Sequence, residues 1–191
     1  MRVAVLADTH GFLDPRIRDH VSQCNVAIHA GDIGGADVLL AMQPREKVVA
    51  IRGNNDIPEK WPAAEHQLLA TLPREASVEL PGGLLIVVHG DEPETLQQRH
   101  SRYRRCYAHA CAVVYGHSHR LLTDFEERPW ILNPGAAGRT RTHGGPSCLF
   151  IECEPQGWRV ETLRLEPRKY PSIRGVSRRA TNAPPTSRER N

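Results

Sequence analysis

Five short apolar runs punctuate the first 115 residues, and each ends in a polar junction of one kind. Residues 3–7 (VAVLA) lead into Asp8-Thr9-His10-Gly11, residues 26–30 (VAIHA) into Gly31-Asp32, and residues 48–51 (VVAI) into Arg52-Gly53-Asn54-Asn55-Asp56. Residues 84–88 (LLIVV) lead into His89-Gly90, and residues 111–115 (CAVVY) into Gly116-His117-Ser118-His119. Short β-branched runs of this kind read as buried strands. Polar residues just past the carboxyl ends of such strands are where open α/β sheets hold ligands.

Helical patterns lie between the strands. Residues 14–22 predict a short helix with Pro15 in its first turn. A second is predicted over residues 36–42, stopping ahead of Pro44. A third is predicted over residues 93–109, with Leu96, Tyr103, Tyr107 and Ala110 on one face. Residues 68–72 and 77–80 read as strands, and Pro81-Gly82-Gly83 as the turn into the strand that ends at His89. From Gly116 onward strands dominate, at residues 121–125, 130–133, 147–153 and 158–165. Alternation followed by consecutive strands predicts a single α/β domain with two sheets and helices outside.

Charge divides the chain. The apolar pattern stops at Pro167, which sets a domain over residues 1–167 and a basic tail over residues 168–191, expected to be disordered. That tail carries +6 of the chain's net +3, which leaves −3 on the body. A nucleic-acid-binding surface on the body is therefore not indicated, although a basic tail of this kind can touch RNA or acidic partners; a solvated tail is the expectation. At 191 residues the chain suits one sizeable core. It has no apolar run of membrane-spanning length, and no secretory leader is expected. Five scattered cysteines without a CxxC pair fit reduced thiols in the cytoplasm, with Cys111 and Cys148 as small buried hydrophobes.

The junctions supply candidate metal ligands: Asp8, His10, Asp32, Asn54, His89, His117 and His119. Asp8 and His10, like His117 and His119, are two apart, so in an extended chain both members of each pair would point the same way. Glycine before Asp32 and Asn54 lets the backbone turn sharply. Carboxylate, imidazole and amide oxygen without thiolate suit two divalent ions, manganese first, with iron, zinc or nickel as alternatives.

Together, Asp8-x-His10, Gly31-Asp32, Gly53-Asn54, His89 and Gly116-His117-x-His119 resemble the five ordered motifs of calcineurin-like metallophosphoesterases. The Gly53-Asn54-Asn55-Asp56 block and Asn133-Pro134-Gly135 are most similar to the small bacterial and archaeal phosphodiesterase branch. The resemblance covers residues 1–165. It implies a four-layer α/β/β/α sandwich with a two-metal centre between the sheets. Asp8, His10, Asp32 and His119 would hold one ion and Asp32, Asn54, His89 and His117 the other, with Asp32 bridging. Two such ions can generate a bridging hydroxide that attacks a phosphodiester in line. The expected partner is a small phosphodiester substrate. Two positions depart from the family pattern: Asn55 and Asp91 stand where many members have histidine. Asn55 is expected to orient phosphate and Asp56 to hold the loop, the two candidates beyond the ligands.

Other signals are read conservatively. The basic run at residues 99–105 is expected to be a solvated helix face; Arg139 and Arg141 follow the Asn-Pro-Gly turn and could approach the site, but as loop arginines are expected to face water. Trp130 and Trp158 are expected to pack, and His143-Gly144-Gly145 to form a loop. The rival to an enzyme is an interaction scaffold on the same fold, as in the retromer subunit that resembles this family; such scaffolds tend to lose ligands, and all seven are present here. A third reading makes the tail an anchor for a nucleotide or RNA substrate.

Overall fold

The computed structural model describes residues 1–170; the rest of the expected tail lies outside the described residues. The chain runs β1 (Arg2–Leu6), α1 (Pro15–Val21), β2 (Val26–Ala30), α2 (Ala36–Ala41), β3 (Lys47–Ile51), α3 (His66–Thr71), β4 (Glu75–Leu80) and β5 (Gly83–Val88). It continues through α4 (Leu96–Cys106), β6 (Ala112–Tyr115), β7 (Leu121–Asp124), β8 (Trp130–Pro134), β9 (Ser147–Glu154) and β10 (Gly157–Arg164). One sheet has the order β10-β9-β1-β2-β3, the other β4-β5-β6-β8-β7. Strands β1, β2 and β3 are parallel, as are β5, β6 and β8, and antiparallel strands complete each sheet.

Strand alternation explains the layers. Val3, Val5, Val26 and Ile28 of the first sheet meet Leu85, Val87, Val114 and Leu132 of the second in one buried cluster. The intervening Ala4, Leu6 and Ala27 point the other way, onto Ile17, Val38 and Leu69 of the first three helices. Ile86, Val88 and Val113 likewise back onto Tyr103 of α4. The result is the expected four-layer α/β/β/α sandwich. Strands buried on both faces carry apolar residues at nearly every position, which is why the runs read continuously.

Local chemistry sets the helix starts. Asp14 caps α1 by accepting the Arg16 backbone N–H at 2.9 Å, with Pro15 at the first helical position. A Thr95–Gln98 capping box starts α4 at Leu96, later than the predicted residue 93.

Three expectations are corrected. Residues 68–72 are not a strand; most of that run lies in α3, whose Leu69 enters the core while Leu68 is exposed. An apolar run this short carries no decisive period. Leu96 does not join the buried face of α4, being 49% exposed. Arg99 and His100 are buried instead, so the basic run is not wholly a solvated face. His100 donates from Nδ1 to Asp124 at 3.0 Å and accepts from the Tyr115 hydroxyl at 3.3 Å, while the Arg99 guanidinium stacks on the Tyr115 ring. Paired charges of this kind survive burial where lone ones do not. The body's contacts also reach Tyr170, whose hydroxyl donates to Asp14 at 2.9 Å and whose ring packs on Phe12.

Candidate metal centre

The five polar junctions follow β1, β2, β3, β5 and β6, the carboxyl ends of parallel strands in both sheets. The ligand candidates do not sit on extended chain, as the two-residue spacing suggested. Asp8, His10, Asp32, His117 and His119 all adopt left-handed backbone, with φ between 47° and 62°. Such positions cost on the order of 1 kcal/mol each outside glycine. They persist because the junctions pair with one another: Asp8 N–H donates to Gly31 O at 3.0 Å, His10 N–H to Asp32 O at 3.0 Å and Gly11 N–H to Ile33 O at 2.7 Å. Asp8 and His10 still converge, by turning rather than by extension, whereas His117 and His119 turn to opposite sides, His117 toward Asn54 and His119 toward Asp8 and His10.

All seven candidates come together, in two flanks. On one, His10 and His119 bring their Nε2 atoms to 3.1 Å with rings stacked, and His119 Nε2 lies 3.5 Å from Asp8 Oδ1. On the other, His89 Nε2 lies 3.4 Å from Asp32 Oδ1 and 3.1 Å from Asn54 Oδ1, and His117 Nδ1 lies 3.1 Å from the same Asn54 oxygen. Asp32 spans the flanks, its second oxygen 3.8 Å from His10. Two sets place their ligand atoms within 4.8 Å of one another: Asp8, His10 and His119, and Asp8, Asp32 and His89. Both aspartates therefore sit between the flanks.

Outer contacts aim the imidazoles. His89 donates from Nδ1 to Ala30 O at 2.8 Å and His119 from Nδ1 to Thr140 O at 3.2 Å, which turns each Nε2 toward the centre. Buried Thr9, between Asp8 and His10, donates to Ile33 O and accepts from His29 Nε2, each at 2.9 Å. Asp56 ties two junctions together. Its carboxylate accepts from the backbone of Ile33 at 3.1 Å, Gly34 at 2.9 Å and Gly53 at 2.8 Å, and from Trp61 Nε1 at 3.0 Å. Asn55 faces Asp32, donating from its backbone at 2.8 Å and from Nδ2 at 2.7 Å, and its Oδ1 accepts from Lys60.

Electrostatics follow from burial. Desolvation pushes the Asp8 carboxyl up to about 8, with neighbouring Asp32 adding to the rise and His89 opposing it. Burial also works on Asp32, but hydrogen bonds and charge from His89, and hydrogen bonds from Asn55, hold it well below the usual carboxylate range. His89 is raised to about 9 because Asp32 outweighs its own burial. Burial and the Arg141 charge lower His119 to about 4, and burial lowers His10 and His117 as well.

Asp8 gives the test of fit. It is fully buried, and neither carboxylate oxygen has a hydrogen-bond partner among the described residues. A buried carboxylate without donors is costly, and a cation is the partner that its histidine neighbours are built to share. Glycine makes the space: a Cβ on Gly31 would collide with the His89 ring, and one on Gly53 with Asp32 and His89. Oxygen and imidazole donors at these separations fit divalent ions.

Several neighbours escaped sequence reading. Trp61 lies among prolines with no periodic signal, and Thr140 acts through a carbonyl that every residue possesses. Arg141, expected to face water, brings Nη2 to 3.0 Å from His119 Nε2 and 3.4 Å from His10 Nε2. Arg139 instead stacks on Phe12. Asp91 pairs loosely with Arg74 at 3.8 Å. Trp158 packs in the core as expected.

The pattern of the calcineurin-like phosphoesterase superfamily domain matches residues 1–156, and the chain belongs to that family. A probable metallophosphoesterase from Methanocaldococcus jannaschii is 28% identical over 145 residues, covering 71% of this chain and 68% of the relative. Among solved structures, wild-type Vps29 of Entamoeba histolytica complexed with zinc aligns with a TM-score of 0.66 at 17% identity, over 87% of this chain and 99% of that one. An archaeal phosphodiesterase aligns with a TM-score of 0.64 at 21% identity, over 85% and 100% of the two chains. These likenesses establish the fold. Family and relatives together indicate a metallophosphoesterase, a class that binds divalent metal. Among the described residues no helix is long and apolar enough to cross a membrane.

Proposed function

We propose that the chain is a two-metal phosphodiesterase acting on a small diester. Asp8, His10, Asp32 and His119 would hold one ion, and Asp32, Asn54, His89 and His117 the other. Manganese is the first candidate, ahead of iron, zinc and nickel. The observation that carries the reading is the buried, donor-free Asp8 carboxylate beside inward-facing imidazoles. When bound, such a pair of ions supplies Lewis acidity and a nucleophile from water at neutral pH.

The chain's own residues prepare the place. The Ala30 and Thr140 carbonyls fix the His89 and His119 rings, so their lone pairs need no reorganisation. Asp56 fixes the two backbone turns that carry Asp32 and Asn54. Asn55 orients the Asp32 carboxylate, with Lys60 on its far side. Vps29 and the archaeal phosphodiesterase share this fold, so an interaction scaffold is the competing reading; seven converging ligand candidates favour the enzyme. No observation on the body favours a nucleic-acid substrate. The test is a panel of aryl diesters, cyclic nucleotides, dinucleotides and phosphomonoesters with each metal. Metal-dependent diester cleavage, abolished by Asp32→Ala, is expected. Metal uptake without hydrolysis of any member would favour the scaffold.

A further inference from the structure

Resting on the two-metal reading, we infer that Arg141 is a phosphate-binding residue, gripping the non-bridging oxygens of the substrate's phosphoryl group on the His10–His119 flank.

Placement comes first. The His119 Nδ1–H bond to Thr140 O not only aims the ring but also brings the next residue to the centre. Arg141 sits in left-handed backbone, φ 52°, on a loop pinned at its start. Gly138 lies so close to the carbonyls of Thr9 and Phe12 that no side chain fits there, which seats the loop on the β1 junction. From this seat the exposed guanidinium reaches both Nε2 atoms of His10 and His119.

Charge then selects the ligand. A permanent cation beside imidazoles and Asp8 opposes the binding of metal cations, so holding metal does not explain it. A tetrahedral oxyanion does. Guanidinium presents paired N–H donors that match two phosphoryl oxygens, and it keeps its charge at every working pH. Two neighbouring candidates are engaged elsewhere. Asn55, standing where many family members have histidine, gives its amide to Asp32 and its oxygen to Lys60. Arg139 lies on Phe12. Arg141 is thus the exposed cation aimed into the centre from this flank.

The test compares wild type, Arg141→Gln and Arg141→Lys. Metal stoichiometry and affinity are measured by calorimetry, then orthophosphate affinity on the metal-loaded proteins, then KM and kcat for an aryl diester. The expected result is that Arg141→Gln keeps its melting temperature and binds metal at least as tightly as wild type. Its orthophosphate Kd rises about 10- to 100-fold, the loss typical of a charge-assisted pair of hydrogen bonds. KM rises with it. Arg141→Lys recovers part of the loss, because it restores charge without the fork. An unchanged orthophosphate Kd in Arg141→Gln, or loss of metal from it, overturns the role while leaving the two-metal reading standing. A wild type that takes up no metal overturns both.

Discussion

Asp32 and Asp8 are the two buried carboxylates of the centre, and they are held in opposite ways. Asp32 receives two hydrogen bonds from Asn55, lies against His89 and stays ionised. Asp8 receives none from any side chain and is pushed up to about 8 by burial. The Asp32 flank is braced by protein alone, through Asp56 and Trp61 behind it. The Asp8 flank is braced through its backbone, through Thr9 and through the His119 bond to Thr140 O, and none of these contacts reaches the Asp8 carboxylate. On the proposed two-metal reading, such a site would keep its shape between metal loadings on one flank and draw its binding energy from an unsatisfied group on the other.

The largest effect that can break this contrast is removal of Asp56. Asp56→Ala leaves three backbone N–H groups, two of them buried, and the Trp61 indole without an acceptor. The expected loss is about 3–5 kcal/mol, read from denaturant midpoints. A loss under about 1 kcal/mol would show that the Asp32 flank does not depend on its bracing.

Matched aspartate variants sharpen the contrast next. Asp32→Asn is expected to cost the metal-free protein about 2 kcal/mol, because His89 and Asn55 lose an ionised partner. Asp8→Asn is expected to leave metal-free stability within about 1 kcal/mol of wild type or to raise it, since it removes a buried group that has no donors. Equal destabilisation by the two substitutions would contradict the contrast.

Protons offer a third route. With Asp8 raised to about 8 and His89 to about 9, the metal-free centre holds a proton on each at neutral pH. Both groups must lose their protons to bind metal, so affinity rises with pH. The slope should approach about two log units per pH unit between pH 6 and 7, and flatten above pH 9. Calorimetry in buffers of different ionisation enthalpy counts the protons directly. A pH-independent affinity over that window would remove Asp8 and His89 from the ligand set.

The smallest effect lies at the chain end. Truncation after Tyr170 should leave the body unchanged. Truncation after Pro167 should cost about 1 kcal/mol, the worth of the Tyr170 hydrogen bond and ring contact on the α1 cap. Equal melting temperatures would show that this contact contributes nothing.

What could be read from the chain, and what could not, follows the same physics. Buried parallel strands announce themselves as continuous apolar runs, so β1, β2, β3, β5 and β6 and the convergence of the candidate residues at their ends were legible. The cap at Asp14 was legible because capping is local chemistry. Residues 68–72 misled because a five-residue apolar run fits a strand or one face of a short helix. His100 and Arg99 misled because their burial depends on Asp124 and Tyr115, which tertiary structure brings to them. The spacing of Asp8 and His10 anticipated their convergence, while that of His117 and His119 did not, because the left-handed backbone of these residues comes from pairing between junctions that no local pattern encodes. Arg141 was visible as a residue but not as a neighbour of His119, since the Thr140 carbonyl that places it has no sequence signature.

The central claim is that the unpartnered Asp8 and the braced Asp32 share two divalent ions. The most direct measurement is the number of manganese equivalents bound by the fully demetallated chain, with Asp8→Asn and Asp32→Ala alongside. Two equivalents for wild type, no more than one for Asp8→Asn and neither site intact in Asp32→Ala is the predicted result. A folded wild type that saturates at one equivalent or none would contradict it.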